Sequence, residues 1–190
     1  GQLAGARARL RRLLDQLAPH AAAGIPIVGL EPSCTAVLRS DLLDLLPDDP
    51  RAALVAGATR TVAELLTADT PTGWTPPDLS DVTAVVQPHC HQHAVLGFGP
   101  DRELLDRAGA TITTLAGCCG LAGNFGMERG HYDTSVAVAE NALLPALRAA
   151  APGTVYLADG FSCRTQAAHL AGVQGTTLVE LLATRLPRTR

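Results

Sequence analysis

The sequence predicts an α/β fold of three layers, with a mainly parallel sheet and two halves related by a pseudo-twofold axis. Three observations predict it. Short β-branched or apolar runs alternate with helix-periodic stretches along the 190 residues, the pattern of strand–helix–strand crossovers. Two segments echo each other: 25–34 and 154–163 each pass from a strand through an acid, a small-residue turn and a serine to a cysteine at a helix start. Finally, Cys34, Cys90, Cys118 and Cys163 each fall just beyond a predicted strand, at the edge where open α/β sheets bind ligands.

In chain order, Leu3, Leu10, Leu14 and Leu17 form a helical stripe, so 2–18 reads as a helix that ends near Pro19 and Gly24. Residues 25–30 are a short buried strand, and Glu31-Pro32-Ser33-Cys34 turns out of it. Leu38, Leu42, Leu45 and Leu46 place a helix over 35–46. Pro47-Asp48-Asp49-Pro50 breaks it with good capping residues, and a second helix runs to about Leu66 on Leu54, Ala58, Val62 and Leu65. The stretch 70–80, rich in proline and threonine, reads as a linker. Strand 82–87 follows and leads into Pro88-His89-Cys90-His91-Gln92-His93. A helix opens at Pro100-Asp101 and closes at Gly109; 111–115 is the next strand. After the glycine-rich loop around Cys118 and Cys119, a helix covers 133–144 and Pro145 restarts the chain. Strand 154–158 turns at Asp159 into a helix from about Arg164, and the last helix starts at a capping box, Thr177 with Glu180. The domain organisation expected is a partial first half, 1–70, a linker, 71–81, and a second half, 82–190, forming one compact domain.

Composition excludes several function classes. No apolar run approaches the ~20 residues that span a bilayer. The net charge is -3, and all 15 basic residues are arginine. Aromatics make up 3%, too few for a base-stacking platform. The arginines at the two ends, including Arg7, Arg11, Arg185 and Arg188, are too few and too separate for a phosphate-binding stripe, so no nucleic-acid partner is expected. Five cysteines without an export signal favour thiolate chemistry in a reducing, cytoplasmic setting over disulfides.

The cysteines carry the functional reading. Cys118 and Cys119 are adjacent inside Gly117 to Gly126, and neighbouring side chains diverge. They either point to different places or reach one object large enough to be approached from two directions. A metal–sulfur cluster is such an object, whereas a zinc ion usually takes cysteines two to four residues apart. With the fold placing Cys34, Cys90, Cys118, Cys119 and Cys163 at one rim, an iron–sulfur site fits five thiols better than a four-ligand zinc site. Zinc held by the same cysteines and by the H-C-H-Q-H stretch is the alternative, as a structural or binding site. Thiol–disulfide chemistry at the vicinal pair is a third reading, disfavoured by the strained ring it would close. His89, His91 and His93 alternate, so an extended segment would present them on one face as ligands or as hydrogen-bonding loop residues; His131 could face the same crevice. Glu31 and Asp159 precede cysteines symmetrically and could orient ligands.

The pattern Cys90, Cys118-Cys119-Gly120, Cys163 resembles the cysteine-rich CCG domain of the heterodisulfide reductases and of the iron–sulfur component of glycolate oxidase. The segments from Glu31 to Thr35, His89 to Gln92, Cys118 to Gly126 and Ala158 to Arg164 are similar to the C-terminal part of fused FAD-linked oxidases with iron–sulfur domains, the D-2-hydroxyglutarate dehydrogenase-like group. The resemblance implies that Cys90, Cys118, Cys119 and Cys163 bind the cofactor, with Cys34 as their partner from the first half, and it leaves His89, His91 and His131 as lesser metal candidates. A full repeat ends in C-x-x-C, but this chain has Cys163 alone, so an ordinary [4Fe–4S] cluster is expected instead of a double-cubane type. The first repeat's cysteine pair would lie upstream of Gly1, which reads as a fragment of a longer protein. The implied role is electron transfer within an FAD-linked 2-hydroxy-acid oxidoreductase of glycolate, lactate or 2-hydroxyglutarate type. FAD and ferredoxin-like domains would be supplied by the parent chain, with a quinone or electron carrier as acceptor and peripheral membrane contact for the parent. No catalytic residue is expected in this segment.

Overall fold

The structure is a computed structural model that describes residues 1–68 and 73–186. Its first part comprises α1 (Leu3–Ala22), β1 (Ile27–Gly29), α2 (Pro32–Ala36), a π-helical turn (Val37–Asp41), α3 (Leu42–Leu45), α4 (Pro50–Ala58), β2 (Thr59–Thr61) and α5 (Val62–Thr67). The second comprises β3 (Thr83–Val86), a π-turn (Gln92–Leu96), α6 (Gly99–Arg107), β4 (Thr111–Thr114), a 3-10 turn (Phe125–Met127), α7 (Tyr132–Ala139), α8 (Leu143–Ala149), β5 (Val155–Leu157), α9 (Phe161–Ala171) and α10 (Leu178–Arg185).

The fold is α/β and its strand pairs are all parallel. The strands form two small sheets, β1-β2 and β4-β3-β5. In the larger sheet the pleat sends Ala84 and Val86 of β3 to one face and Val85 to the other. Ala84 and Val86 pack with Leu104 and Leu105 of α6 and with Leu178, Leu181 and Leu182 of α10. Val85 packs with Tyr156, Leu143 of α8 and Ala167 of α9. Helices therefore cover both faces, as parallel sheets require. A separate core joins α1, α3 and α4 through Leu10, Leu14, Leu42, Ala52 and Val55.

Several boundaries differ from expectation. The first helix runs through Pro19 to Ala22, since a proline in the last turn costs only one ladder bond. The expected single helix to Leu66 is cut by β2, a three-residue strand of β-branched Thr59 and Thr61 around Arg60, paired with β1. A capping box then restarts the chain: Glu64 N–H donates to Thr61 Oγ1 and Thr61 N–H to Glu64 Oε2. The same device, Thr177 with Glu180, opens α10 as expected. Residues 70–72 of the expected linker lie outside the described residues, and so does Arg188. In the rest of that linker, Leu79 is fully buried and Trp74 packs on the same cluster. Among the described residues no helix is long and apolar enough to cross a membrane.

Candidate metal centre

Three parallel strands side by side deliver their C-terminal ends to one edge, and each end carries cysteine. After β3 comes Pro88-His89-Cys90, after β4 the loop with Cys118 and Cys119, and after β5 the start of α9 with Cys163. Cys90, Cys118, Cys119 and Cys163 line a single small cleft, together with Gln87 and His89. Cys118 and Cys119 are near enough to perturb each other electrostatically, and Cys119 and Cys163 likewise. Of the two adjacent side chains neither turns away from the cleft.

The loops explain this convergence. Gly120 adopts φ +91°, and a Cβ there would lie 2.2 Å from the Ser135 carbonyl oxygen, so only glycine fits. Its N–H donates to Cys118 Sγ at 3.3 Å. Ala122, which also lines the cleft, is a non-glycine residue held at φ 46°. Gly160 matters through proximity: an added Cβ would sit 2.3 Å from His89 Cδ2 and 3.2 Å from Cys163 Sγ. The missing side chain lets the β5 turn close on the β3 turn. Ser162 Oγ accepts from Gly123 N–H at 3.3 Å and ties α9 to the cysteine loop.

The electrostatics that the cleft's own residues create favour the protonated thiol at Cys118, Cys119 and Cys90. Contact with Cys119 and burial push Cys118 far above the ordinary thiol range. Cys119 feels opposing hydrogen bonds, lowered by Cys118 and raised by Cys163, and burial helps take it up to about 11. Burial, then Cys118, raises Cys90. Metal ions bind the thiolate, so a metal entering here would displace these protons. Burial lowers His89 and keeps its imidazole neutral, the form that ligates. Its two ring nitrogens lie 3.7 and 3.8 Å from Cys90 Sγ.

Cys34 does not line this cleft. It is exposed at the start of α2, where burial and then Glu31 raise its thiol. Glu31 links the two places. Its carboxylate accepts from Cys34 N–H at 2.9 Å and from Ser33 Oγ at 3.0 Å, and the Phe161 N–H of α9 also faces it. Burial raises this carboxyl, but those donors outweigh it and hold it below the usual range. Glu31 thus caps α2 and places its negative charge toward the N-terminus of α9.

The histidines separate. Residues 90–96 are helical, not extended, so alternate side chains no longer share a face. His89 and His91 stay neighbours with ring centroids 5.1 Å apart, and the donor atoms of His89, Cys90 and His91 all lie within 4.8 Å of one another. His93 is exposed. His131 stacks on Phe125 at 4.2 Å, with Nδ1 3.3 Å from Glu128, and does not line the cysteine cleft. Asp159 does not cap its own helix as Glu31 does; its Oδ1 accepts from Leu178 N–H at 2.8 Å, at the start of α10. Sequence reasoning missed Gln87, whose amide donates to the Pro88 and Gly117 carbonyls at 3.1 and 3.0 Å and fixes the cleft wall. A polar residue ending an apolar strand was the available signal.

No protein-family model matches the chain. Over 165 residues the chain is 26% identical to the D-2-hydroxyglutarate dehydrogenase of Escherichia coli (strain K12), a similarity covering 85% of the chain and 16% of that protein. The chain therefore corresponds to a small part of the length of the relative it matches.

Proposed function

We propose that this chain is the iron–sulfur electron-transfer module of an FAD-linked 2-hydroxy-acid oxidoreductase. The observation that carries the reading is the meeting of Cys90, Cys118, Cys119 and Cys163 in one cleft at the C-terminal edge of β4-β3-β5. The donor set suits a thiolate-ligated cluster: four sulfurs reach the cleft from three separate turns, and the neutral His89 stands beside them. These four cysteines would hold a [4Fe–4S] cluster, and Cys34, outside the cleft, would not be required to hold it. Such a cluster, when bound, accepts and releases one electron at a time. The chain's own residues set its surroundings. Gly120 N–H donates toward Cys118 Sγ, and the start of α9 brings backbone N–H groups to the Cys163 side, both of which favour negative charge on sulfur.

Similarity to a dehydrogenase supports an oxidoreductase context for the module. Substrate oxidation at FAD belongs, on this reading, to another part of the parent chain, and the electrons leave for a quinone or carrier. Five unpaired cysteines suit the reducing cytoplasm.

One observation favours a second reading, a zinc site: the close grouping of His89, Cys90 and His91 offers nitrogen and sulfur donors together. Anaerobic purification followed by a visible spectrum and iron, sulfide and zinc analysis decides between them. Brown protein with iron and sulfide is expected. Colourless protein with one zinc and no sulfide, after anaerobic handling, overturns the electron-transfer reading.

A further inference from the structure

A second small cavity shares Gln87 with the cysteine cleft and is lined by Gln87, Gln92, Asp101, Asp159 and Leu178 among others. Its polar lining is unbalanced. Gln87 spends its amide nitrogen on two carbonyls, which fixes the orientation of the group and leaves Oε1 without a partner; reversing the amide would set oxygen against oxygen. Asp101 is 3% exposed. Its Oδ1 accepts from Gln92 Nε2 at 3.2 Å, and its Oδ2 has no partner among the described residues. Asp159 Oδ1 already holds the Leu178 N–H. Acceptor oxygens thus outnumber donors around one buried space, and orphaned acceptors there are costly.

We propose that this cavity is a proton-binding site in which Asp101 carries the proton and Asp159 the charge, electrically coupled to the thiol cleft through Gln87 and Gln92. A proton on Asp101 turns one surplus acceptor into a donor and removes the repulsion of two carboxylates. The choice of Asp101 over Asp159 follows from their surroundings. Burial raises Asp159 as well, but it faces the Leu178 N–H and the Arg164 cation, which favour its charge, against Glu180 and Glu31, which do not. No cation offsets burial at Asp101: its charged neighbours are the acids Asp159 and Glu64, the latter paired with Arg39, and only the Gln92 amide and its own backbone N–H favour its charge. Burial first, then Asp159, pushes Asp101 up to about 8. The coupling is short. Gln92, which holds Asp101, also accepts the His89 N–H at 2.8 Å, next to Cys90. Negative charge added to the cleft raises the proton affinity of Asp101; positive charge lowers it.

The proton site stands without the metal reading, and its test needs no metal. Carboxyl ¹³C shifts of the full chain, labelled at aspartate, are followed against pH. One carboxyl titrating above pH 7 is expected, absent in Asp101→Asn and shifted to lower pH in Asp159→Asn, which removes the like charge. Thermal stability gives an independent readout. An acid whose folded value exceeds its unfolded one loses stability as pH rises between them, here from 3.8 to about 8. The Tm of the wild type therefore falls across that window relative to Asp101→Asn. Should Asp101→Asn not fold, the Asp159→Asn shift carries the test. Every aspartate titrating in the ordinary acidic range overturns the proposal. So does stabilisation of the wild type by added Ca²⁺ or Na⁺ that Asp159→Asn abolishes, which would make the occupant a cation.

Discussion

Two corners of this molecule are written almost alike and behave differently. Glu31-Pro32-Ser33-Cys34 and Asp159-Gly160-Phe161-Ser162-Cys163 each lead from a strand into a helix. At the first, the acid folds back onto its own helix and the thiol stays exposed. At the second, the acid reaches away to α10, and the thiol is 2% exposed beside Cys119. The difference lies in what stands next door. The β5 corner has β3 and β4 as parallel neighbours, so two more cysteine-bearing turns arrive beside it. The β1 corner has only β2, whose end carries Thr61 and a capping box. A local motif sets where a thiol starts; sheet order decides what it meets.

The sharpest test of this contrast is serine replacement after anaerobic iron–sulfide reconstitution. Cys119→Ser and Cys163→Ser are expected to lose most of the bound iron, and Cys34→Ser to keep most of it. Equal loss in all three would erase the distinction and bring Cys34 into the ligand set. Next in size is Gly160→Ala. Its methyl group would overlap His89 and crowd Cys163, so unfolding in urea should show a loss of about 1–3 kcal/mol. An unchanged midpoint would mean that the two turns are not closely packed.

Glu31→Gln is expected to cost about 1 kcal/mol, the usual value of a helix cap. Because the folded carboxyl lies below its ordinary value, the wild-type advantage is present above pH 4.5 and fades as pH falls through the lower, folded value. The same variant removes a negative charge from beside Cys34, so the pH profile of its alkylation by a maleimide should move to lower pH. The smallest effect belongs to Arg39→Gln. It breaks the partly buried pair with Glu64, 2.6 Å long, and should lower stability by about 0.5–1 kcal/mol, less at high salt.

Much of the fold was legible because its signals are local. Thr177 and Glu180 announce a helix start in any context, and the β-branched runs before Cys90 and Cys163 announce strands. The T-x-x-E of Thr61 and Glu64 carried equal information, but it sits inside an apolar run whose spacing imitates one long helix. The strand there exists because β1 offers a partner, a tertiary fact. The cysteine positions were readable from strand ends. Their separation into four lining a cleft and one beside it was not, since it depends on the order β4-β3-β5. Likewise, nothing in the spacing of His89, His91 and His93 says that the chain coils at Cys90. The burial of Asp101 was hidden for a related reason: an acid in the first turn of a helix normally faces water.

The cleft draws its sulfurs from turns whose outermost members, Cys90 and Cys163, are separated by α6, α7 and α8. A nascent chain emerging in order exposes Cys90 and the vicinal pair well before Cys163 exists, and β5 must slot beside β3 before the fourth sulfur arrives. A metal captured early would be held by an incomplete grip and easily lost to competing chelators. On the proposed function, loading would therefore be a finishing step that waits for β5 to dock.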